Sequence, residues 1–219
     1  MNLYWQRTDG TARAERLTVS TNHQYPTSWH PSGRYLLFVE ESQPLNVDVM
    51  VLPLERDAAS DWRAGKPTAL LTGPSIESGA EFSPDGRWIA YTSNESGRPE
   101  IYVQPFPGPG TKGLISTGGG TLPTWSRSRQ ELFYGVNGRI FVAAFAVDRG
   151  TFHAEAPRPW SEGRYQTRGS SRMFDLHPDG ERVALAPAPR ILGRSNPDSV
   201  VFVFNFFDEL RRITNSPRR

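Results

Sequence analysis

The chain has 219 residues, 37% apolar, 11% aromatic and 22% charged, and its 20 glycines and 19 prolines favour many turns between short strands over long helices. Its net charge is only +2, with scattered arginines, so it lacks the clustered basic face of a nucleic-acid binder. The absence of cysteine excludes disulfides, CxxC redox chemistry and thiolate metal sites.

In chain order, the first seven residues lack a basic region followed by an apolar run, so no signal peptide is expected. No stretch approaches the roughly 20 apolar residues that span a bilayer, so no membrane insertion of this chain is expected. Leu3-Tyr4-Trp5-Gln6 and Arg16-Leu17-Thr18 read as two strands. Four segments then align in register. They are Trp29-His30-Pro31-Ser32-Gly33-Arg34, Phe82-Ser83-Pro84-Asp85-Gly86-Arg87, Trp125-Ser126-Arg127-Ser128-Arg129-Gln130 and Leu176-His177-Pro178-Asp179-Gly180-Glu181.

In each segment a short strand ends at a bulky anchor. Proline fixes the first corner of a tight turn, and glycine supplies the positive φ that follows. A second strand returns with alternating apolar residues: Leu36 and Phe38, Ile89 and Tyr91, Leu132 and Tyr134, Val183 and Leu185. In the second unit a turn over 94–97 leads to a third strand at Ile101-Tyr102-Val103 and a fourth at Leu114-Ile115-Ser116. The N-terminal pair matches these last two strands. Arg127-Ser128-Arg129 replaces Pro-Asp-Gly in the third unit, which therefore needs a differently built turn.

The anchors lie roughly 53, 43 and 51 residues apart. That period implies an all-β chain, a β-propeller of four-stranded blades, about four to five of them. The expected layout is a single domain, 1–219. It has a partial blade at 2–19, blades at 22–73, 76–117, 120–166 and 170–207, and a helical turn with tail at 208–219. About seventeen strands are expected, the run 200–207 being a buried third strand. Because the chain opens in mid-blade, two alternatives are expected: closure of the ring within one chain, or completion by a homodimer that pairs exposed blade edges.

The run Phe82-Ser83-Pro84-Asp85-Gly86-Arg87-Trp88-Ile89-Ala90-Tyr91-Thr92-Ser93, with Gly97 and Ile101-Tyr102 after it, closely resembles the WD40-like (PD40) repeat of TolB-type propellers. Other details resemble the C-terminal propellers of bacterial serine/threonine kinases: Gln104-Pro105-Phe106-Pro107-Gly108, Ile115-Ser116-Thr117-Gly118-Gly119-Gly120, Glu131-Leu132-Phe133-Tyr134 and Asn205-Phe206-Phe207-Asp208-Glu209-Leu210. The resemblance implies an extracytoplasmic sensor of ligands or partners, here a truncated piece with fewer than the family's six or more blades. Kinase activity is not implied, since the Val-Ala-Ile-Lys, His-Arg-Asp and Asp-Phe-Gly motifs are absent.

Propellers bind ligands where the inner strands begin. Those mouths hold Asn22, His23 and Gln24, then Glu77, then 118–121, then Arg168 and Arg172. Glu77, Asn22 and Gln24 suit calcium, whereas His23 with Glu77 suits a softer, zinc-like divalent metal. Asp85 and Asp179 are expected to bond their own turn backbones, and His30 and His177 a backbone carbonyl. Gly108-Pro109-Gly110-Thr111-Lys112-Gly113 matches GxGxxG but opens no helix, so it reads as a linker. No Gly-x-Ser-x-Gly, Ser-x-x-Lys or His-Glu-x-x-His occurs. The first functional expectation is a non-catalytic module binding a protein or small molecule. The second is a metal-dependent hydrolase of lactones, esters or phosphotriesters, and the third a stable remnant without a dedicated activity.

Overall fold

A strand ends at each of the four anchors, as the repeat requires. The computed structural model describes residues 1–43, 46–56, 62–165 and 174–185, all within one unit, Met1–Ala188; the second unit, Pro189–Arg219, lies outside the described residues. The expected strand at 200–207, the helical turn at 208–213, Arg168 and Arg172 likewise fall outside them. All regular structure among the described residues is β-strand. No helix there is long and apolar enough to cross a membrane.

Two strands, β1 (Tyr4–Trp5) and β2 (Glu15–Arg16), form a small antiparallel sheet. The first full blade follows, with β3 (His23–Trp29), β4 (Tyr35–Gln43) and β5 (Asn46–Arg56). The long β5 splits its outer edge between β6 (Trp62–Ala64) and β7 (Thr68–Leu71). The second blade is the plain form: β8 (Glu77–Phe82), β9 (Trp88–Ser93), β10 (Glu100–Pro105) and β11 (Gly113–Leu114). The third has β12 (Thr121–Trp125), β13 (Glu131–Val136) and β14 (Arg139–Asp148), whose edge is shared by β15 (Thr151–Ala154) and β16 (Arg158–Pro159). A two-stranded sheet of β17 (Phe174–Leu176) and β18 (Val183–Leu185) completes the described chain.

Four apolar clusters hold these sheets face to face, because alternate residues of each strand point to opposite faces. Leu3, Leu36, Phe38 and Leu52 join the N-terminal sheet to the first blade. Leu37, Val49, Ile89, Tyr91 and Tyr102 join the first to the second. Trp88, Ala90, Ile101, Trp125 and Tyr134 join the second to the third. Phe133, Ile140, Tyr165 and Phe174 join the third to β17–β18. The inner strand β8 touches both β3 and β12, so the inner strands neighbour one another as blades about a common axis require.

The turns follow their residues. Gly33, Gly86 and Gly180 have φ of +71°, +72° and +73°. In the second blade the Gly86 amide donates to Ser83 O at 2.9 Å, and the Arg87 amide to Asp85 Oδ1 at 3.1 Å. Asp179 does the same for the Glu181 amide at 2.9 Å. Without proline and glycine, residues 127–130 form an open bend, in which the Arg129 amide donates to Ser126 Oγ at 3.2 Å.

Trp29 departs from the anchor pattern: it is 51% exposed, whereas Phe82 and Trp125 are buried. The reason lies in the neighbouring sheet. Trp125 packs onto the preceding blade's inner strand, donating its Nε1–H to Glu81 O at 3.1 Å. The sheet before Trp29 consists, among the described residues, of β1 and β2 alone, the counterparts of outer strands. His153 lies in β15, where it is exposed.

Candidate functional site at the inner-strand mouths

Cross-strand register gathers polar side chains where the inner strands begin. In the first blade Gln24 stands opposite Glu40, and Glu40 opposite Asp48. In the second, Glu77 stands opposite Ser93, and Ser93 opposite Glu100. Directly opposed residues share a face. Each row therefore ends an otherwise apolar sheet with a strip of carboxylates and their partners.

The first row is largely self-satisfied. Asn22 Nδ2 donates to Glu40 Oε1 at 3.1 Å, Gln24 Nε2 donates to Glu40 Oε2, and Thr18 Oγ1 donates to Gln24 Oε1. Thr18 in turn accepts from the Leu3 amide at 3.0 Å, which ties the N-terminal sheet to this corner. The amides of Asn22 and Gln24 are thus engaged by a carboxylate. Asp48 differs, since its Oδ1 is buried without a hydrogen-bond partner. Burial raises its carboxyl above the ordinary 3.8, and the Glu40 charge adds to this against the Gly73 amide.

Glu77 is the most telling residue of the site. It is 6% exposed; Ser93 Oγ donates to its Oε1 at 3.1 Å, and its Oε2 has no partner. Burial pushes its carboxyl above 4.5, the Ser93 hydroxyl opposes the shift, and the charges of Asp48 and Glu95 reinforce it. Glu95 is engaged by Lys112, whose ammonium also lies 5.4 Å from the centre of the Tyr102 ring.

Glu100, in the same row, is the structural counterexample. It is 2% exposed, yet its oxygens accept from Arg98 Nε at 2.6 Å, the Gly119 amide at 3.0 Å and Ser116 Oγ. Burial raises its carboxyl, but the Ser116, Arg98 and Gly119 donors together hold it below 4.5. Gly120 is explained here too. A Cβ there would sit 2.7 Å from Ile101 and 2.8 Å from Ser116 Oγ, so this glycine allows close packing beside the Ser116 hydroxyl that donates to Glu100.

Of the residues singled out in the sequence, Asn22, Gln24 and Glu77 reach this end of the blades. His23 is exposed on β3, opposite Glu41. Glu40, Asp48, Ser93 and Glu100 were not singled out. Glu40 occupies the repeat position of Ser93, directly after the apolar run Leu36-Leu37-Phe38-Val39, and Asp48 sits between two valines in a strand. Glu40 is a misplaced charge that repeat alignment exposes, whereas Asp48 takes its meaning from register against Glu40. Among the described residues, no three His, Cys, Asp or Glu side chains gather as a metal site. Glu77 and Asp48 each offer one open carboxylate oxygen, which suits a cation.

No family model matches the chain. It is 34% identical over 89 residues to Tricorn protease homolog 1 of Streptomyces coelicolor, covering 41% of this chain and 7% of that protein. The crystal structure of puromycin hydrolase superposes with a TM-score of 0.52 at 16% identity, over 87% of this chain and 33% of that one. TolB from Acinetobacter baumannii superposes with a TM-score of 0.49 at 18% identity, over 83% and 42%. The fold is a β-propeller. The chain spans less than half the length of each of these proteins, and the structural likenesses speak to the fold of the propeller alone.

Proposed function

We propose that this propeller is a non-catalytic binding module that takes a cationic group of a small molecule or protein partner at Glu77 and Asp48. One observation carries the reading: a carboxylate 94% buried keeps an oxygen without a partner, beside a second carboxylate with the same defect. Burying an unpaired charge is costly, and such a group is retained where a counter-charge completes it. The neighbouring Glu100 shows how the same fold satisfies a carboxylate that only has to support structure.

A protonated amine, a guanidinium or a hard divalent cation such as calcium answers this chemistry. Isothermal titration of the full chain with calcium, methylammonium and guanidinium tests it. Saturable binding of one of these, lost in Glu77→Gln, is expected; heats that remain unchanged in Glu77→Gln overturn it. The metal-dependent hydrolase reading would rest on His23 with Glu77; His23 is exposed opposite Glu41 whereas Glu77 is buried, and the unpartnered oxygens at Glu77 and Asp48 favour the binding reading. The repeat's resemblance to kinase-linked propellers supports an extracytoplasmic setting, which fractionation of cells carrying the natural gene product tests.

A further inference from the structure

The repeat allows the blade boundaries to be compared position by position. His30 and Ser83 correspond, because their amides donate to Tyr35 O and Trp88 O, each at 2.9 Å; Tyr35 therefore corresponds to Trp88. Phe106 and Phe145 correspond as well, their amides donating to Arg87 O at 2.8 Å and Gln130 O at 3.0 Å. Between the first and second blades the His30 ring fills the boundary, its centre 5.5 Å from Tyr35, 4.9 Å from Phe82 and 5.7 Å from Phe106. Between the second and third blades the same place is lined by Ser83, Trp88 and Phe145, and the short serine leaves a cavity of about 260 Å³. That is just under the range of drug-sized ligand sites and gives room for a molecule of one or two rings. At the next boundary the turn itself closes the gap, since a Cβ on Gly180 would lie 2.8 Å from Ser126 Oγ.

The walls are aromatic and fixed. Phe145 stacks on Phe152 with centroids 4.8 Å apart, and the Phe152 ring lies 5.2 Å from that of Trp88. The charged groups of the lining are engaged with one another or outside it. Asp85 accepts from Ser83 Oγ at 2.6 Å and from Arg87 Nε at 2.7 Å, and Arg129 pairs with Glu181 at 2.6 Å. Arg127 is exposed at the rim. One polar group of the buried wall is left over: Trp88 is 5% exposed, and its Nε1–H has no hydrogen-bond partner. A buried donor without a partner is costly, so this one calls for an acceptor. Aromatic walls call for a flat ring, as the first boundary shows with His30.

We propose that this cavity binds a small planar nitrogen heteroaromatic, which takes the place that His30 fills one boundary earlier and accepts from Trp88 Nε1–H. The proposal does not rest on Glu77 or Asp48. Calorimetry of the full chain with neutral benzimidazole tests it, together with the indole ¹H–¹⁵N resonances of the six tryptophans. Saturable binding is expected, shifting the Trp88 resonance and leaving those of Trp5 and Trp62 in place. Indole, which has the same two rings and no acceptor nitrogen, is expected to bind about tenfold more weakly. Ser83→His is expected to fill the cavity with its own imidazole and to lower the affinity at least about tenfold. Trp88→Phe keeps an aromatic wall and is expected to erase the preference for benzimidazole over indole, a readout that lost packing alone would not move. Glu77→Gln is expected to leave benzimidazole binding unchanged. Absence of a shift at Trp88 at several millimolar overturns the proposal. So does equal binding of indole, an unaltered affinity in Ser83→His, or a preference that survives Trp88→Phe.

Discussion

His30 of the first blade donates its Nε2–H to the carbonyl oxygen of Gly86 in the turn of the second, at 3.1 Å across the blade boundary. The tautomer follows from the other nitrogen, since Nδ1 accepts from the Ser32 amide at 3.1 Å. The ring also meets Phe82 edge-on, with centroids 4.9 Å apart. Gly86 is required twice over. Its φ is +72°, and a Cβ there would lie 2.2 Å from His30 Nε2. Gly86→Ala is therefore expected to cost about 2–4 kcal/mol, strain and displacement of His30 together. Gly97→Ala, with φ +91° but open space around it, is expected to cost only about 1 kcal/mol. Urea unfolding of the two variants checks the difference.

Trp125 makes the corresponding link between the second and third blades through Glu81 O. Trp125→Phe keeps most of the ring packing against Phe145 and Phe152 but leaves that carbonyl without the indole donor. The expected loss is about 1–2 kcal/mol. Trp29→Phe, at the exposed anchor, is expected to fall within about 0.5 kcal/mol of the parent. Equal losses at the two positions would contradict the account of why Trp29 is uncovered.

Glu77 makes stability fall as pH rises. Its folded carboxyl is raised above 4.5, so the native state binds the proton more tightly than the unfolded chain. Its contribution is most favourable below 4.5 and is lost as pH climbs through the folded value. Glu77→Gln is expected to raise Tm at pH 7 by about 2–4 °C, the shift that ~1 kcal/mol produces in a chain of this size. It should also flatten the pH dependence above 4.5 while abolishing cation binding. A lower Tm in Glu77→Gln would contradict the unpaired state of Oε2.

Glu100 slopes the other way. Its folded carboxyl is held below 4.5, so its stabilisation is present above 4.5 and is lost as pH falls through the lower folded value. Ser116→Ala removes a hydroxyl that donates to Glu100 and accepts from the Ile101 amide at 2.8 Å. A loss of about 1–3 kcal/mol at pH 7 is expected, shrinking in acid as Glu100 protonates. Denaturant titrations at several pH values check both carboxylates in one series.

The turn chemistry was legible because it is local: proline, aspartate and glycine at fixed offsets dictate Asp85 to the Arg87 amide and Asp179 to the Glu181 amide within a few residues. The extra hairpins β6 and β15 were less so. They arise because β5 and β14 run far past their blade partners, a length that short apolar runs do not announce. At the site, Glu77 was legible from its place where an inner strand begins, whereas Asp48 was not, because its meaning depends on register against Glu40 on the adjacent strand.

Periodic anchors, alternating apolar pairs and turn residues determined by themselves that this chain folds into repeated antiparallel blades, since each of those signals acts through backbone sterics over a few residues. Tertiary structure alone decided which charged groups are satisfied. Glu77 and Glu100 are the same residue type in the same row, and they differ only in which donors the fold brings within reach of a buried carboxylate.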